Sequence, residues 1–223
     1  MRDAAALLRE RGVILLDFDG PVCAVFGPAG AATAAAALRA VAASLGLATD
    51  VDGVTASDPL SVLRRVAEER PDLAAAADAE LRRHEVAGIR NALPTPGSDD
   101  FLRDAAESGH LVAIASNNAA EAITEYLVSR GLEALVAAVE GRRSDDPTRM
   151  KPDPDVLERA LKRMGAQPSD ALMIGDSVSD VRAAAALGVP CVAFANKPGK
   201  QARLRSAGAD AVVQSMAGLF TTT

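Results

Sequence analysis

The sequence predicts an α/β fold in which a doubly wound parallel sheet carries a small inserted helical domain. Three observations indicate this fold. Short apolar runs recur along the chain, and helical patterns fall between most of them. Four short polar motifs follow such runs or lie near them. One long stretch near the beginning of the chain has helical patterns without a convincing strand.

Six apolar runs are predicted to be strands of one sheet. They are apolar throughout rather than alternating, which is typical of parallel strands that are buried on both faces. In chain order they are Val13–Leu16, Leu111–Ile114, Ala134–Ala137, Leu172–Ile174, Cys191–Phe194 and Ala211–Val213. Strands that alternate with helices indicate a parallel sheet with helices on both faces.

Helical patterns separate several of the later strands. They cover residues 119–131, 153–165 and 180–188, and each ends at a glycine, which commonly terminates a helix. The second begins with an Asp-Pro pair, a frequent first turn.

Residues 22–93 interrupt this alternation. Helical patterns cover about 30–45, 58–66 and 72–89, and two prolines and a glycine follow before the sheet resumes. We therefore predict an α/β core and an all-helical cap. Their limits are 1–21 with 94–223 for the core, and 22–93 for the cap. The alternative is one larger domain with additional surface helices.

The composition of the 223 residues excludes several classes of protein. A hydrophobic fraction of 49% is ample for a packed core, which excludes disorder. The net charge of -6 and the pI near 5.0 argue against a nucleic-acid partner, which would need clustered positive charge. The longest apolar stretches have the length of strands, and the N-terminal segment lacks an apolar signal region. We expect no membrane association.

The cysteines indicate a reducing compartment, so a cytoplasmic location is expected. Cys23 and Cys191 lie far apart without CxxC spacing, which suits two unpaired thiols. Cys23 is close to the first polar motif, so a catalytic thiol is one alternative. The favoured interpretation is a small apolar residue, because His84 and His110 fit no nucleophile pattern.

The polar motifs carry the chemistry. They are Asp17–Gly20, Ser116–Asn118, Lys151–Pro154 and Gly175–Asp180. Ligands bind at the carboxyl ends of strands in open α/β sheets, so these motifs are expected to meet in one cleft. Together they supply two acidic pairs, a hydroxyl and an ammonium, which suit phosphoryl transfer with a divalent metal ion.

Two aspartates of the first motif have different predicted roles. Asp17, at the end of its strand, is the candidate nucleophile, because a carboxylate can attack phosphorus and form an aspartyl-phosphate. Asp19 is better placed to protonate the leaving oxygen and then to activate water. Gly20 allows a tight turn away from the strand.

The remaining motifs are predicted to bind metal and phosphate. Mg²⁺ would offset the repulsion between carboxylates and phosphate, and Asp176 would complete its site with Asp180 in support. Lys151 would add a fixed positive charge. Ser116 and the backbone N–H of Asn117 would donate to phosphate oxygens at the beginning of a helix. Each motif alone is also compatible with an ordinary strand end, cap or turn; their combination favours the site.

The motifs resemble those of the haloacid-dehalogenase superfamily of phosphotransferases. The resemblance lies in Leu15–Gly20, Ser116–Asn117, Lys151–Pro152, and Gly175–Asp176 with Asp180, in that order. The Lys-Pro-x-Pro form resembles the subgroup of phosphoglycolate phosphatase and β-phosphoglucomutase, whose helical cap lies between the first two motifs. The resemblance implies a Rossmann-like core.

The resemblance also implies site roles. Asp17 would be the nucleophile and Asp19 the acid/base, with Mg²⁺ bound by Asp17, the Asp19 carbonyl and Asp176. Cap opening would admit a small phosphorylated metabolite, and closure would exclude water. Asp19 disfavours dehalogenase chemistry. The absence of Lys between Pro21 and Thr95 disfavours phosphonate cleavage.

A phosphatase is the favoured function, with two alternatives. One is a sugar-phosphate mutase of the β-phosphoglucomutase type, which the lack of a cap Lys and the single cap histidine, His84, disfavour. The other is a non-catalytic phosphate-binding relative. It stays open because Pro21 stands where the family usually has Thr or Val, and a missing hydroxyl beside Asp19 would slow turnover.

The sequence leaves the substrate and the oligomeric state open, with a monomer and a homodimer both compatible. Several arginines could contact a second anionic group of the substrate, but the favoured interpretation places them at the surface, balanced by nearby acids. They are Arg142, Arg143 and Arg149 with Asp145 and Asp146, and the cap residues Arg64, Arg65, Arg82 and Arg83 with Glu68, Glu69, Glu80 and Glu85.

Overall fold

The computed structural model describes residues 2–27, 29–44 and 58–220. Its strands are β1 (Val13–Leu16), β2 (Cys23–Ala24), β3 (Leu93–Pro94), β4 (Leu111–Ala115), β5 (Ala138–Glu140), β6 (Ala171–Gly175), β7 (Cys191–Phe194) and β8 (Ala211–Val213). Its helices are α1 (Ala4–Arg9), α2 (Gly30–Ser44), α3 (Pro59–Glu69), α4 (Ala74–Ile89), α5 (Ser98–Glu107), α6 (Ala120–Ser129), α7 (Asp155–Met164), α8 (Val178–Ala186) and α9 (Lys200–Ser206). Leu45, the predicted end of the first cap helix, lies outside the described residues.

A six-stranded parallel sheet forms the core, in the order β5-β4-β1-β6-β7-β8. Strand β1 lies between β4 and β6, with Leu16 opposite Ile114 on one side and Ile174 on the other. The carboxyl ends of three neighbouring strands therefore lie side by side, and three polar motifs follow them directly.

Helices cover both faces of the sheet, as the apolar runs predict. Ile14 and Leu16 of β1 face a cluster that includes apolar side chains of α1, α5 and α6. Val13 and Leu15 face the opposite cluster, which includes side chains of α7, α8 and α9. This arrangement confirms the doubly wound α/β fold.

The prediction for the third strand was wrong. The run Ala134–Ala137 does not form the strand; β5 begins at Ala138, and residues 133–135 form a 3₁₀ turn. Leu135 at the end of this turn and Val136 directly after it pack against the core, which accounts for the apolar run. Backbone pairing begins only where the N–H of Ala137 donates to the carbonyl of Val112, at 2.7 Å.

Helices α2, α3 and α4 pack around a hydrophobic cluster of their own. Its largest members are Leu38 of α2, Leu63 of α3 and Leu81 of α4, all fully buried. Met150, which precedes the third motif, also joins this cluster, so the helical layer packs on the core. Among the described helices, none combines the length and the apolar character needed to cross a membrane.

Residues 22–93 contain a strand that the sequence did not predict. β2 pairs antiparallel with β3, with Cys23 opposite Pro94 and Ala24 opposite Leu93. Each strand has only two residues, which is too short for a periodic pattern. The ribbon joins the two chain segments that connect the helical layer to the core.

Candidate active site

The predicted site residues surround one cavity of about 260 Å³ at the carboxyl ends of β1, β4 and β6. Its lining includes all but one of them: Asp17, Asp19, Ser116, Asn117, Lys151, Asp176 and Asp180. The exception is Gly20, whose Cα lies close to the lining residue Asp176. Four further lining residues come from the beginning of helix α3 and its N-cap: Asp58, Leu60, Ser61 and Arg64.

Lys151 forms ion pairs with two carboxylates in the wall of the cavity. Its Nζ lies 2.9 Å from Oδ1 of Asp17 and 2.5 Å from Oδ1 of Asp180, and it donates to the carbonyl of Ala115 at 2.9 Å. The lysine side chain is only 1% exposed. Burial lowers the pKa of Lys151, but the attraction of Asp17 and Asp180 outweighs it and the net shift is upward. The ammonium therefore stays charged.

Burial disfavours the ionised forms of two carboxyl groups at this site. Burial, followed by repulsion from Asp180, raises the pKa of Asp17 to about 7 despite the opposing effect of Lys151. Burial also raises the pKa of Asp176. A cation bound beside them would favour the ionised forms.

Three carboxylates could hold such a cation. One oxygen each of Asp17, Asp176 and Asp180 lie within 4.8 Å of one another. Within the described ranges, no hydrogen bond uses the carbonyl oxygen of Asp19, which is the third ligand of the predicted set, so this oxygen is available to a metal ion. Oxygen donors of this kind suit a hard divalent ion.

Asp176 has two partners that sequence reasoning missed. Nδ2 of Asn196 donates to its Oδ2 at 2.8 Å, and Nζ of Lys200 forms an ion pair with the same oxygen. Asn196 lies just after β7, at the carboxyl edge of the sheet. Ligands bind at the carboxyl ends of strands in open α/β sheets, and this rule could have identified Asn196 from the sequence.

A backbone amide orients Asp19. The N–H of Val25 donates to its Oδ1 at 2.9 Å, so this contact does not require a hydroxyl at Pro21. Burial raises the pKa of Asp19 to about 6, and the hydrogen bond from Val25 opposes the shift. A carboxyl group with this pKa can exchange a proton near neutral pH.

Two glycines allow the acidic side chains to approach the backbone. Gly20 has φ +116°, and a Cβ there would lie 2.5 Å from Cγ of Asp176. A Cβ on Gly175 would overlap the carboxyl group of Asp180. Gly20 is therefore required for close approach as well as for the predicted turn.

The loop between β4 and α6 contains the predicted phosphate donors. Asn117 and Lys151 exchange hydrogen bonds: Asn117 Oδ1 accepts from the Lys151 N–H at 2.8 Å, and Asn117 Nδ2 donates to the Lys151 carbonyl at 3.2 Å. The hydroxyl of Ser116 donates to Oδ1 of Asn118 at 3.1 Å. No hydrogen bond among the described residues uses the backbone N–H of Asn117.

The surface interpretation of Arg64 was wrong. Its Nη2 donates to the carbonyl of Lys151 at 2.9 Å, which holds the guanidinium at the cavity wall. Arg65, the next residue, forms the expected helical ion pair with Glu69 instead. Residues 64 and 65 point in different directions because successive helical side chains diverge by about 100°.

The surface interpretation of Arg142 and Glu85 was also wrong. The Arg142 side chain is 1% exposed, with Nε 2.5 Å from Oδ1 of Asp78 and Nη1 2.7 Å from Oε1 of Glu85. Asp78 and Glu85 lie seven residues apart on one face of α4. This seven-residue spacing could have indicated from the sequence that the two acidic residues share one side of the helix. Arg143, in contrast, pairs with Asp145 at the surface as expected.

The cysteines are free and buried, in agreement with the prediction. Burial raises the pKa of both thiols, Cys23 and Cys191. Cys23 is thus a protonated thiol in the core, which disfavours a role as nucleophile.

A family model described as haloacid dehalogenase-like hydrolase matches residues 12–188. The chain is 34% identical over 122 residues to the bifunctional riboflavin kinase/FMN phosphatase of Arabidopsis thaliana, covering 54% of this chain and 31% of that protein. It is 33% identical over 100 residues to a phosphoglycolate phosphatase of Mesorhizobium japonicum, covering 45% and 43%. The chain thus spans less than half the length of these relatives.

Solved structures share the fold along nearly the whole chain. A structure described as a predicted phosphatase from Clostridium acetobutylicum superimposes with a TM-score of 0.73 and 20% identity, covering 95% of this chain and 97% of that one. CbbY from Rhodobacter sphaeroides in complex with phosphate gives a TM-score of 0.67 and 21% identity, covering 94% and 96%.

Proposed function

The chain belongs to the haloacid dehalogenase-like hydrolase family, and we propose that it is a Mg²⁺-dependent phosphatase for a small phosphorylated metabolite. The observation that carries this proposal is the position of Asp17. Its carboxylate lies at the end of the central strand β1, where it forms an ion pair with Lys151 and is close to two other carboxylates in one cavity. Relatives named as phosphatases also support it.

Asp17 is proposed as the nucleophile. Its Oδ1 accepts from the Phe18 N–H at 2.8 Å and lies 2.9 Å from Nζ of Lys151. These contacts fix the carboxylate and leave Oδ2 for attack on phosphorus. The new Oδ2–P bond forms as the P–O bond to the leaving group breaks, giving an aspartyl-phosphate.

Asp19 is proposed as the acid and base of the two steps. Its protonated form gives a proton to the leaving oxygen in the first step. In the second step its carboxylate takes a proton from the water that attacks phosphorus, which releases phosphate and restores Asp17. The pKa of about 6 allows both protonation states near neutral pH.

The other residues are proposed to bind the metal ion and the phosphate. Asp17, Asp176 and the carbonyl of Asp19 would hold Mg²⁺, which supplies charge neutralisation for the phosphoryl oxygens. Ser116 and the Asn117 N–H would donate to those oxygens. Lys151 would contribute its charge, and Asp180 would orient Lys151 through their 2.5 Å ion pair.

Residues 22–93 are proposed to act as the cap over this cavity. Asp58, Ser61 and Arg64 already form part of its wall. The cap histidine, His84, lies 3.2 Å from Glu80 of the same helix and is not among the residues that line the cavity. This supports hydrolysis over a mutase reaction, which would need cap groups that hold an intermediate.

Phosphate release from small phosphate esters and an aryl phosphate tests the proposal. We expect release with Mg²⁺, loss of release with a chelator, and recovery when Mg²⁺ is returned. Release that persists in the chelator would contradict the metal requirement. A folded protein that releases no phosphate from any compound would contradict the phosphatase.

Arg64→Met is expected to raise KM about tenfold or more for substrates with a second anionic group. Within the described ranges Arg64 donates to backbone carbonyl oxygens rather than to a carboxylate, so its charge remains available to a substrate. Its loss should leave KM for an aryl phosphate nearly unchanged. Arg65→Met is the matched control, because Arg65 pairs with Glu69 away from the cavity. An equal change for both substrates would contradict this role.

A further inference from the structure

Helix α4 of the cap places a buried carboxylate against the loop that follows β4. Glu85 is fully buried, and its oxygens accept from Nδ2 of Asn118 at 2.9 Å and from the N–H of Ala119 at 3.1 Å. Ala119 is the N-cap residue of α6 and has no capping side chain of its own. Glu85 therefore caps a core helix from another part of the chain.

Asn118 connects Glu85 to Ser116, the predicted phosphate ligand. Its side-chain nitrogen faces Glu85, so its Oδ1 is directed to the hydroxyl of Ser116, 3.1 Å away. The N–H of Asn118 donates to the same hydroxyl oxygen at 3.3 Å. These two contacts fix the position of Ser116 Oγ, while its proton can rotate from Asn118 to a phosphate oxygen.

Arg142 holds Glu85 in the ionised form that this arrangement needs. Its Nη1 lies 2.7 and 2.8 Å from the two oxygens of Glu85 and donates to the carbonyl of Asn117 at 3.2 Å. All partners of Glu85 named here are donors, which only a carboxylate can satisfy completely. Burial raises the pKa of Glu85, and the positive charge of Arg142 opposes this shift.

We propose that Glu85 is a positioning residue for phosphate binding: it acts through Asn118 to hold Ser116 where phosphate is received. The phosphate site is then completed by the cap rather than by the core alone. Separation of α4 from α6 would release Ser116 and favour departure of phosphate. This inference rests on the proposed phosphatase function, because it assigns Ser116 to phosphate.

Glu85→Gln tests the proposal. The amide keeps the shape of the side chain but directs an NH₂ group at one of the three groups that donate hydrogen bonds to Glu85. We expect KM and the inhibition constant of inorganic phosphate to rise about tenfold together, with a smaller change in kcat. The Mg²⁺ concentration that gives half-maximal activity should stay unchanged. A purely structural role would not raise KM and the phosphate inhibition constant while leaving the Mg²⁺ requirement unchanged.

Two further variants complete the experiment. Glu121→Gln breaks the exposed 2.7 Å ion pair between α6 and Arg82 of α4 without touching the loop, and it should leave phosphate affinity unchanged. Asn118→Ala removes the link to Ser116 and should reproduce the loss. Combined with Glu85→Gln it should add little, because both changes break one chain of contacts. Asn118→Ala also keeps the test usable if Glu85→Gln does not fold.

The outcomes separate this inference from the proposed function. Wild-type activity with unchanged phosphate inhibition in Glu85→Gln or in Asn118→Ala would overturn the positioning role alone. Equal losses in Glu121→Gln would overturn it as well. A wild-type protein that neither releases nor binds inorganic phosphate, the latter measured by calorimetry, would overturn both proposals.

Discussion

Asp17→Asn is expected to lower phosphate release at least about 10³-fold, because an amide oxygen is a poor nucleophile toward phosphorus. The change preserves the size of the side chain. Lys151 keeps its 2.5 Å ion pair with Asp180, so the site should stay assembled. The loss should appear in kcat and should be the same for every substrate, since all of them transfer phosphate to the same oxygen.

The measurement is initial-rate phosphate release with Mg²⁺ in excess, together with mass spectrometry of the protein quenched during turnover. The wild type should show a phosphate adduct on the peptide that contains Asp17, and the variant should show none. Asp153→Asn is the matched control, because Asp153 is partly exposed in the Lys151 motif and is not a cavity residue. Activity of Asp17→Asn within tenfold of the wild type would contradict the covalent mechanism.

The position of Asp17 was predictable because it depends on local patterns. A buried apolar run followed by an acidic residue places that residue at the edge of a parallel sheet. The same argument located Ser116 and Asp176, whose strands β4 and β6 flank β1. Each inference uses only a few consecutive residues and a rule about parallel strands.

The contacts between helix α4 and Arg142, which follows β5, were not predictable in this way. Arg142 meets Asp78 and Glu85 across 64 and 57 residues. The seven-residue spacing of Asp78 and Glu85 indicates that they share one helix face, but nothing in the sequence identifies Arg142 as their partner. An arginine beside acidic residues is more often exposed. The third strand was misplaced for a related reason, because apolar residues in a 3₁₀ turn and in a strand are equally suited to packing on the core.

Arg142→Met is expected to lower the free energy of unfolding by about 3–5 kcal/mol, because it leaves two buried carboxylates without their shared cation. Asp78 and Glu85 have side chains only 2% and 0% exposed. Asp78 retains Arg82 at 2.7 Å, and Glu85 retains two neutral donors. Urea unfolding followed by circular dichroism gives the difference. Arg143→Met, at an exposed pair, should cost about 1 kcal/mol or less.

The loss in Arg142→Met should depend on pH with a definite sign. Burial already raises the pKa of Glu85 in the folded wild type, and removal of the guanidinium raises it further. A carboxyl group with a raised folded-state pKa favours folding at pH below its unfolded value and loses that contribution as the pH rises through the folded value. The variant should therefore approach wild-type stability as the pH falls toward the ordinary range of carboxyl groups, and its deficit should grow toward neutral pH. A deficit that is constant over this range would show that Arg142 stabilises the protein by packing alone, without compensating the charge of Glu85.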